Sequence, residues 1–181
     1  DLLDALEPGL QYRLGILYRE SGDLGRAATC LHRAMDAQPR SALVRLALAR
    51  VYLADPDPLG ILGFKFLREA TELDPMLTEA WMQRGEASLA AGFLGNAFHA
   101  FRKVLELEPG NVEALRNVAI TAHRAGEPAW ACRALLALGA VDRQRALELR
   151  SEIQESVWSL RGRKKPSPGA GPPADPEEET G

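Results

Sequence analysis

Residues 104–111 read V-L-E-L-E-P-G-N, and a similar phrase occurs twice upstream, as A-T-E-L-D-P-M-L at residues 70–77 and A-M-D-A-Q-P-R-S at residues 34–41. The prolines of the three phrases are Pro39, Pro75 and Pro109. They are spaced 36 and 34 residues apart. Proline lacks a backbone N–H and disfavours helix in the residue before it. The phrase therefore predicts that a helix ends three times at a nearly fixed interval.

The composition excludes several classes of protein. Of the 181 residues, 46% are hydrophobic, so we expect a folded body with an apolar core. The formal charge of −3 argues against a nucleic-acid partner, because such proteins usually carry a basic excess. No apolar run approaches the roughly 20 residues that a membrane-spanning helix needs. The two cysteines, Cys30 and Cys132, do not make a disulfide framework.

The first residue is Asp1 rather than Met, so we expect a processed or excised chain. The sequence therefore leaves the cellular compartment unknown. The two alternatives are the cytoplasm, or the periplasm or envelope if an upstream signal or lipid anchor was removed.

Aligning the phrases reveals an internal repeat. Two glycines are each followed by a glycine after seven residues, an alanine after twelve, a large apolar residue after sixteen and a proline after twenty-four. The two series are Gly15, Gly22, Ala27, Leu31, Pro39 and Gly85, Gly92, Ala97, Phe101, Pro109. A second copy fits with two extra residues in the turn-forming stretch 54–60. A fourth copy fits with Arg143 in place of the proline.

Each copy is predicted to form two helices. In the third copy they run over residues 79–91 and 94–107, and Gly92 supplies the left-handed residue that ends the first helix. Small residues at the positions of Gly15 and Gly85 let the two helices approach closely. Asn111 is a typical N-cap for the helix that follows.

This pattern resembles the tetratricopeptide repeat, a helix-turn-helix unit of 34 residues. The first unit matches the family pattern at Leu14, Gly15, Tyr18, Gly22, Ala27, Leu31, Ala34 and Pro39. The third unit matches at Trp81, Gly85, Gly92, Ala97, Phe101 and Pro109, and departs from the pattern at Arg84, Ser88 and Val104. The resemblance implies an all-α fold, an α-solenoid of about four helix-turn-helix repeats. The predicted units are 8–41, 42–77, 78–111 and 112–145.

The ends of the chain are predicted separately. Residues 1–7 are a remnant of a longer array or an N-terminal cap. Residues 140–161 form an amphipathic C-terminal capping helix, with Asp142 as a plausible N-cap and Leu149 and Ile153 on its apolar face. Residues 162–181 are rich in proline and glycine and are predicted to be a disordered tail, which either solubilises the protein or docks on a partner.

The resemblance also implies a binding surface. In this family the concave face is lined by the second, fifth, ninth and twelfth residues of each unit. Carried over, these are Gly9, Tyr12, Ile16 and Arg19; Leu43, Leu46, Arg50 and Leu53; Glu79, Met82, Glu86 and Leu89; Glu113, Arg116, Ile120 and His123. An apolar floor with Arg and Glu around it predicts a groove for a protein or peptide segment. Alternatively, some of these side chains pack under a neighbouring helix.

The expected function is a protein–protein interaction scaffold or adaptor rather than an enzyme, with no cofactor. The alternatives are an assembly factor of a bacterial envelope machine, of the pilus or secretion type, and a self-associating scaffold, which would be a homo-oligomer. One subfamily grips the C-terminal carboxylate of heat-shock chaperones with Lys and Asn at the fifth and ninth positions. Tyr12 and Ile16 stand there in the first unit, so we expect no such clamp.

The remaining candidates are weaker. The three histidines are His32, His99 and His123, and they lack the spacing of metal ligands, so no metal site is expected. Cys30 and His32 would face different sides of one helix. Trp130 stands where the repeat pattern has no aromatic residue. It either anchors a partner on the convex side or packs against the C-terminal helix near Val157 or Trp158.

Overall fold

The computed structural model describes residues 7–54 and 60–160, and every element in these ranges is an α-helix. The helices are α1 (Pro8–Glu20), α2 (Leu24–Ala37), α3 (Ala42–Ala54), α4 (Gly60–Leu73), α5 (Thr78–Ala90), α6 (Leu94–Leu107), α7 (Val112–Arg124), α8 (Pro128–Val141) and α9 (Arg143–Leu160). The all-α solenoid predicted from the sequence is confirmed. Each predicted unit contains one helix pair, while the division into units stays a prediction. The predicted tail and nearly all of the N-terminal remnant lie outside the described residues.

The prolines of the repeated phrase lie in tight turns between units. The backbone N–H of Ser41 donates to the carbonyl of Gln38 at 3.1 Å, and that of Asn111 donates to the carbonyl of Glu108 at 3.0 Å. In both turns proline occupies the second position, where its fixed φ fits. Asn111 also accepts a hydrogen bond from the backbone N–H of Ala114 at 3.0 Å, which confirms it as the N-cap of α7.

The turn inside a unit depends on glycine. Gly22, Gly92 and Gly126 have φ values of 83°, 79° and 75°, and each directly follows the end of a first helix or its C-cap. After Gly92 the chain turns back, and the N–H of Phe93 donates to the carbonyl of Ser88 at 2.8 Å. This closure satisfies a carbonyl at the end of α5 that would otherwise be unpaired. The left-handed conformation predicted for Gly92 is confirmed.

The two helices of a unit meet at a small residue. A Cβ at Gly15 would lie 2.5 Å from Cγ of Leu31, and a Cβ at Gly85 would run into the ring of Phe101. Leu31 and Phe101 are completely buried. Glycine at these two positions therefore allows a large side chain of the second helix to lie directly on the backbone of the first.

We expect Gly85→Val to destabilise the protein by about 1–3 kcal/mol, because the added side chain must displace the Phe101 ring. The matched control is Gly95→Val. Gly95 is also helical, and a Cβ there would meet nothing within 4 Å. The control is expected to be neutral or slightly stabilising, because valine has the higher helix propensity. Urea unfolding followed by circular dichroism measures both, and equal effects would contradict the packing described.

Neighbouring units are joined by packing and by specific polar contacts. Arg84 of α5 donates to Oγ1 of Thr71 at 3.0 Å and lies over the ring of Trp81 at 5.3 Å. Trp81 donates through Nε1 to the carbonyl of Pro75 at 2.9 Å. Burial lowers the pKa of the Arg84 guanidinium. The arginine that departs from the repeat pattern thus ties α5 to α4.

The last helix continues the array. α9 packs against both α8 and α7, just as α3 packs against both α2 and α1. It begins at Arg143 rather than near residue 140, because α8 continues to Val141. Asp142 accepts a hydrogen bond from the backbone N–H of Arg145 at 3.0 Å, as expected of an N-cap, and Leu149 is buried. Within the described ranges, no helix combines the length and apolar composition that crossing a bilayer requires.

Candidate protein-binding site

Alternate helices lie side by side, since α1 contacts α3 and α7 contacts α9. We call the face formed by α1, α3, α5, α7 and α9 the inner face, because the family resemblance implies that the first helix of each pair lines the concave side. The predicted groove residues differ widely in burial. Leu46 is buried; Tyr12, Ile16, Arg19, Arg50, Leu53, Met82, Leu89, Arg116, Ile120 and His123 are half-buried; Gly9, Leu43, Glu79, Glu86 and Glu113 are exposed or partly exposed. Apart from Leu46, the predicted groove residues thus keep part of their surface accessible to solvent.

Leu46 lies in the core and not in the predicted apolar floor of the groove. Its side chain is only 2% exposed and belongs to the core formed with Leu48 and Leu67, so it cannot contact a partner. Leu53 lies over Gly63 of α4, where a Cβ would be 2.6 Å from Cγ of Leu53. The alternative interpretation, in which floor side chains pack under a neighbouring helix, therefore holds for Leu46 and Leu53.

Two basic residues of the inner face, Arg50 and Arg116, pair with carboxylates of the next inner-face helix. Arg50 of α3 contacts Glu79 of α5 at 2.5 Å, and Arg116 of α7 contacts Glu152 of α9 at 3.6 Å. Arg145 of α9 contacts Glu113 at 2.9 Å. Arg50 and Arg116 are among the basic residues that the sequence predicts around the apolar floor of the groove. The structure shows both already in ion pairs that cross between units.

Glu86 carries the most perturbed carboxyl of this face. Burial raises its pKa, the charge of Arg50 lowers it, and the charge of Glu113 raises it again. Its Oε2 accepts a hydrogen bond from Gln83 at 2.9 Å. The net direction is upward, so the ionised form is disfavoured in the folded protein, and a cationic group near Glu86 would relieve that cost.

We expect Glu86→Gln to stabilise the protein at pH 7, by less than about 1 kcal/mol, because part of the side chain remains in solvent, which screens its charge. The pKa of Glu86 is raised on folding, so its ionised form penalises folding at pH 7. The penalty disappears as the pH falls through the raised value towards the unfolded value of about 4.3. The advantage of the variant should disappear over the same range.

Glu106→Gln provides a control of opposite sign. A hydrogen bond from Lys103 at 2.6 Å lowers the pKa of Glu106, so the ionised form stabilises the fold and this contribution is lost as the pH falls. The control should therefore be less stable than the parent at pH 7. Thermal unfolding over a pH series measures both variants, and the same sign for both would contradict the electrostatics described.

A valley opens between α7 and α9 on the inner face. It has a volume of about 540 Å³ and is lined by Arg116, Ile120, His123, Arg124, Leu149, Glu152 and Ile153. We call these seven residues the α7–α9 valley. The half-buried Ile120 and Ile153 form its apolar floor, whereas Leu149, which also borders it, is buried. The polar side chains of Arg116, His123, Arg124 and Glu152 surround this floor. A second cavity of about 310 Å³, which also includes Arg116 and Glu152, adjoins it.

The groove predicted from the sequence includes three α7 residues that line this valley, Arg116, Ile120 and His123. It omits Leu149 and Ile153 of α9, which the sequence places on the apolar face of a capping helix. The signal was present in the spacing of Leu149 and Ile153, four residues apart on one face of α9. A capping helix covers the end of an array, whereas α9 also contacts α7 and so extends the inner face.

His32 and Cys30, which the sequence offers as candidate metal ligands, lie in contacts within the fold. His32 Nε2 and the hydroxyl of Tyr52 lie 2.7 Å apart, which joins α2 to α3. Cys30 is completely buried, and burial raises the pKa of its thiol. Across residues 7–54 and 60–160, no group of three or more His, Cys, Asp or Glu side chains is arranged to hold a metal ion.

Trp130 lies on the outer side, against α6. Its ring meets that of Phe98 edge-on at a centroid distance of 5.3 Å. The predicted contact with Val157 or Trp158 involves side chains outside the described residues.

No family model and no curated protein matches the chain. Solved structures do. The first tetratricopeptide repeat domain of Spaghetti (RPAP3), bound to the HSP90 peptide SRMEEVD, has a TM-score of 0.61 and 25% identity over 66% of this chain and 95% of that chain. A MamA protein has a TM-score of 0.68 and 18% identity over 85% and 88%. MamA AMB-1 has a TM-score of 0.67 and 22% identity over 77% and 75%.

These likenesses place the chain in the class of α-solenoids built from helical hairpins. Within that class its helical hairpins have the fold of solved tetratricopeptide repeat structures, as the sequence resemblance predicted. The comparisons support a protein-interaction scaffold and name no partner for this chain.

Proposed function

We propose that this protein is a non-catalytic scaffold that binds a protein or peptide segment along its inner face, anchored in the α7–α9 valley. The observation that carries the proposal is the apolar floor of that valley, open between charged walls. Its volume of about 540 Å³ falls in the range of ligand-binding clefts. The similarity to a repeat domain bound to a peptide supports this assignment.

The lining of the valley indicates the chemistry of the segment. Ile120 and Ile153 are half-buried, so a large apolar side chain placed between them would complete their burial. Arg124 lies exposed at the rim and suits an acidic neighbour of that side chain. Further along the inner face, the raised pKa of Glu86 favours a basic residue. Tyr12 and Ile16 stand at the positions where the chaperone clamp has Lys and Asn. The proposed segment is therefore not bound through a terminal carboxylate at these positions.

Site-specific photocrosslinking tests this assignment in the full chain. A photoreactive amino acid at position 123, in the valley, is expected to crosslink to one discrete partner segment. The same group at position 40, in an exposed turn outside the valley, is the matched control. Peptide mapping of the crosslinked product identifies the segment, which is then synthesised. Equal crosslinking at both positions would count against the valley.

We expect Ile153→Ser to weaken binding of the synthesised segment at least about tenfold, equivalent to about 1.4 kcal/mol, because it removes part of the apolar floor. Leu147→Ser is the matched control, since Leu147 is exposed on the same helix and does not line the valley. Calorimetry measures both affinities. Unchanged affinity for the Ile153 variant, in a chain that keeps its helicity, would overturn the proposed anchor.

A second candidate, a self-associating scaffold, is favoured by apolar side chains exposed at both ends of the described array. Leu136 is 76% exposed and Leu147 is 56% exposed at the α8–α9 end, while Leu17 of α1 is 59% exposed at the other end. Contact between the α8–α9 end of one copy and the α1 end of the next would build a head-to-tail assembly. Sedimentation over a range of concentrations tests this, because such an assembly grows with concentration.

A further inference from the structure

An apolar surface with two cations lies where α8 packs against α9. A cavity of about 190 Å³ there is lined in part by Leu136 and Gly139 of α8 and by Arg143, Leu147 and Arg150 of α9. We call these five residues the end patch. Both leucines are more than half exposed. The patch shares no lining residue with the α7–α9 valley, so the two surfaces can be tested separately.

The place of Leu136 is covered by a helix elsewhere in the array. Leu136 is the ninth residue of α8, as His32 is of α2 and Arg102 is of α6. His32 meets the ring of Phe66 of α4 at a centroid distance of 6.0 Å, and Arg102 lies 5.4 Å from the centroid of the Trp130 ring of α8. In both cases the second helix of the next pair provides the contact. In the part of the chain that the structure describes, no helix follows α9, and Leu136 faces solvent.

α9 has the place of a first helix but differs from the others where a second helix would lie on it. Its N-cap Asp142 corresponds to Asn111, the N-cap of α7. Eight residues after the N-cap, α7 has Ala119 and α9 has Arg150. The equivalent residue of α5 is Gly85, on which a ring of α6 lies directly. A helix beside α9 would therefore meet a guanidinium group and would need an anionic partner for it.

No described carboxylate neutralises the two cations of the end patch. Neither Arg143 nor Arg150 forms an ion pair within residues 7–54 and 60–160, and no acidic residue stands three or four positions from either of them. Arg145, on the same helix, pairs with both Asp142 and Glu113. Arg143 and Arg150 are two helical turns apart, about 10 Å along the axis, and Leu147 stands between them.

These side chains specify the helix that would complete the surface. Carboxylates seven residues apart on one helical face can reach both guanidinium groups, and leucines placed between them lie on the same face. α1 of a second copy is less suited, because its exposed Arg13 stands between the exposed Leu10 and Leu17 and would bring a third cation. The charges favour an acidic helix over a second copy of this chain.

We propose that the end patch binds an acidic amphipathic helix of another protein. The leucine side chains of that helix cover Leu136 and Leu147. Its carboxylates pair with Arg143 and Arg150. The bound helix lies against α8 and α9 as α8 lies against α6 and α7. The protein then holds one partner at the end patch and, if the proposed function is correct, a second one in the valley.

A synthetic peptide tests the proposal on the isotope-labelled full chain. The probe has the core E-A-A-L-L-A-A-E, flanked by alanine and glutamine. Its addition is expected to shift the amide signals of residues 135–139 and 143–150 and to leave those of α1 and α5 in place. The matched probe has the core K-A-A-L-L-A-A-K. It should bind at least about tenfold more weakly, because its ammonium groups meet the two guanidinium groups.

Variants of the chain identify the side chains that bind the glutamate probe. Arg143→Gln with Arg150→Gln should weaken its binding about three- to tenfold, because two ion pairs at the surface are lost. Leu136→Ser should weaken it about tenfold, because the apolar contact is lost. Arg13→Gln with Arg40→Gln is the matched control, since it removes the same charge from exposed positions outside the patch and should leave the affinity unchanged.

The same spectra report whether each variant is folded. Equal affinity for the two probes, or an affinity that survives the changes at Arg143 and Arg150, would overturn the proposal. Concentration-dependent shifts of the patch signals without peptide would also overturn it, because they would place a second copy there. So would shifts of the signals of residues 162–181 on addition of the probe, which would assign the patch to that segment.

Discussion

Leu46→Glu is expected to lower the free energy of unfolding by at least about 4 kcal/mol. Removing a buried leucine side chain costs about 2–5 kcal/mol, and the new carboxylate is left without a partner in an apolar core. Typical stabilities are about 5–15 kcal/mol, so this one change should unfold a large part of the population under mild denaturing conditions. Urea unfolding followed by far-ultraviolet circular dichroism measures it.

Leu43→Glu is the matched control for this change. Leu43 lies one turn earlier on α3, and its side chain is 49% exposed, so the same substitution leaves the carboxylate in water. Its effect should stay within about 0.5 kcal/mol. If Leu46→Glu were tolerated as well as Leu43→Glu, Leu46 would belong to an open groove, as its position in the repeat predicts, and not to the core.

Phe101→Ala is expected to cost about 3–5 kcal/mol, because its ring is completely buried and fills the space above Gly85. Phe93→Ala removes the same atoms from a site that is 55% exposed and should have an effect of less than about 1 kcal/mol. Equal losses in urea unfolding would mean that the contact between α5 and α6 does not depend on this ring.

Much of the fold could be predicted from the sequence because its signals are local. A helix ends where proline removes an N–H or where Gly92 takes up the left-handed conformation, and both effects act within a few residues. The pairing of Gly85 with Phe101 was also predictable, since both lie in one hairpin at a spacing that recurs along the chain.

The candidate site was less predictable because it depends on contacts between units. Leu46 and Leu43 occupy comparable positions in the family pattern, yet α3 is enclosed by helices before and after it and buries only one of them. The carboxylate partner of Arg116 is on α9, 36 residues further along the chain. No local pattern in α7 reveals such a partner, and α9 has no full repeat signature of its own.

The α7–α9 valley has a consequence for how the end of the array opens. α9 is held by α8 and α7, whereas a helix inside the array is held by partners on both sides. Local opening of α9 therefore takes less free energy than opening of α3, and its amides should exchange with solvent sooner. A segment seated between α7 and α9 bridges the last two inner-face helices. Binding at that point would slow amide exchange along α9, and the affinity of the scaffold would in turn depend on how often its last helix opens.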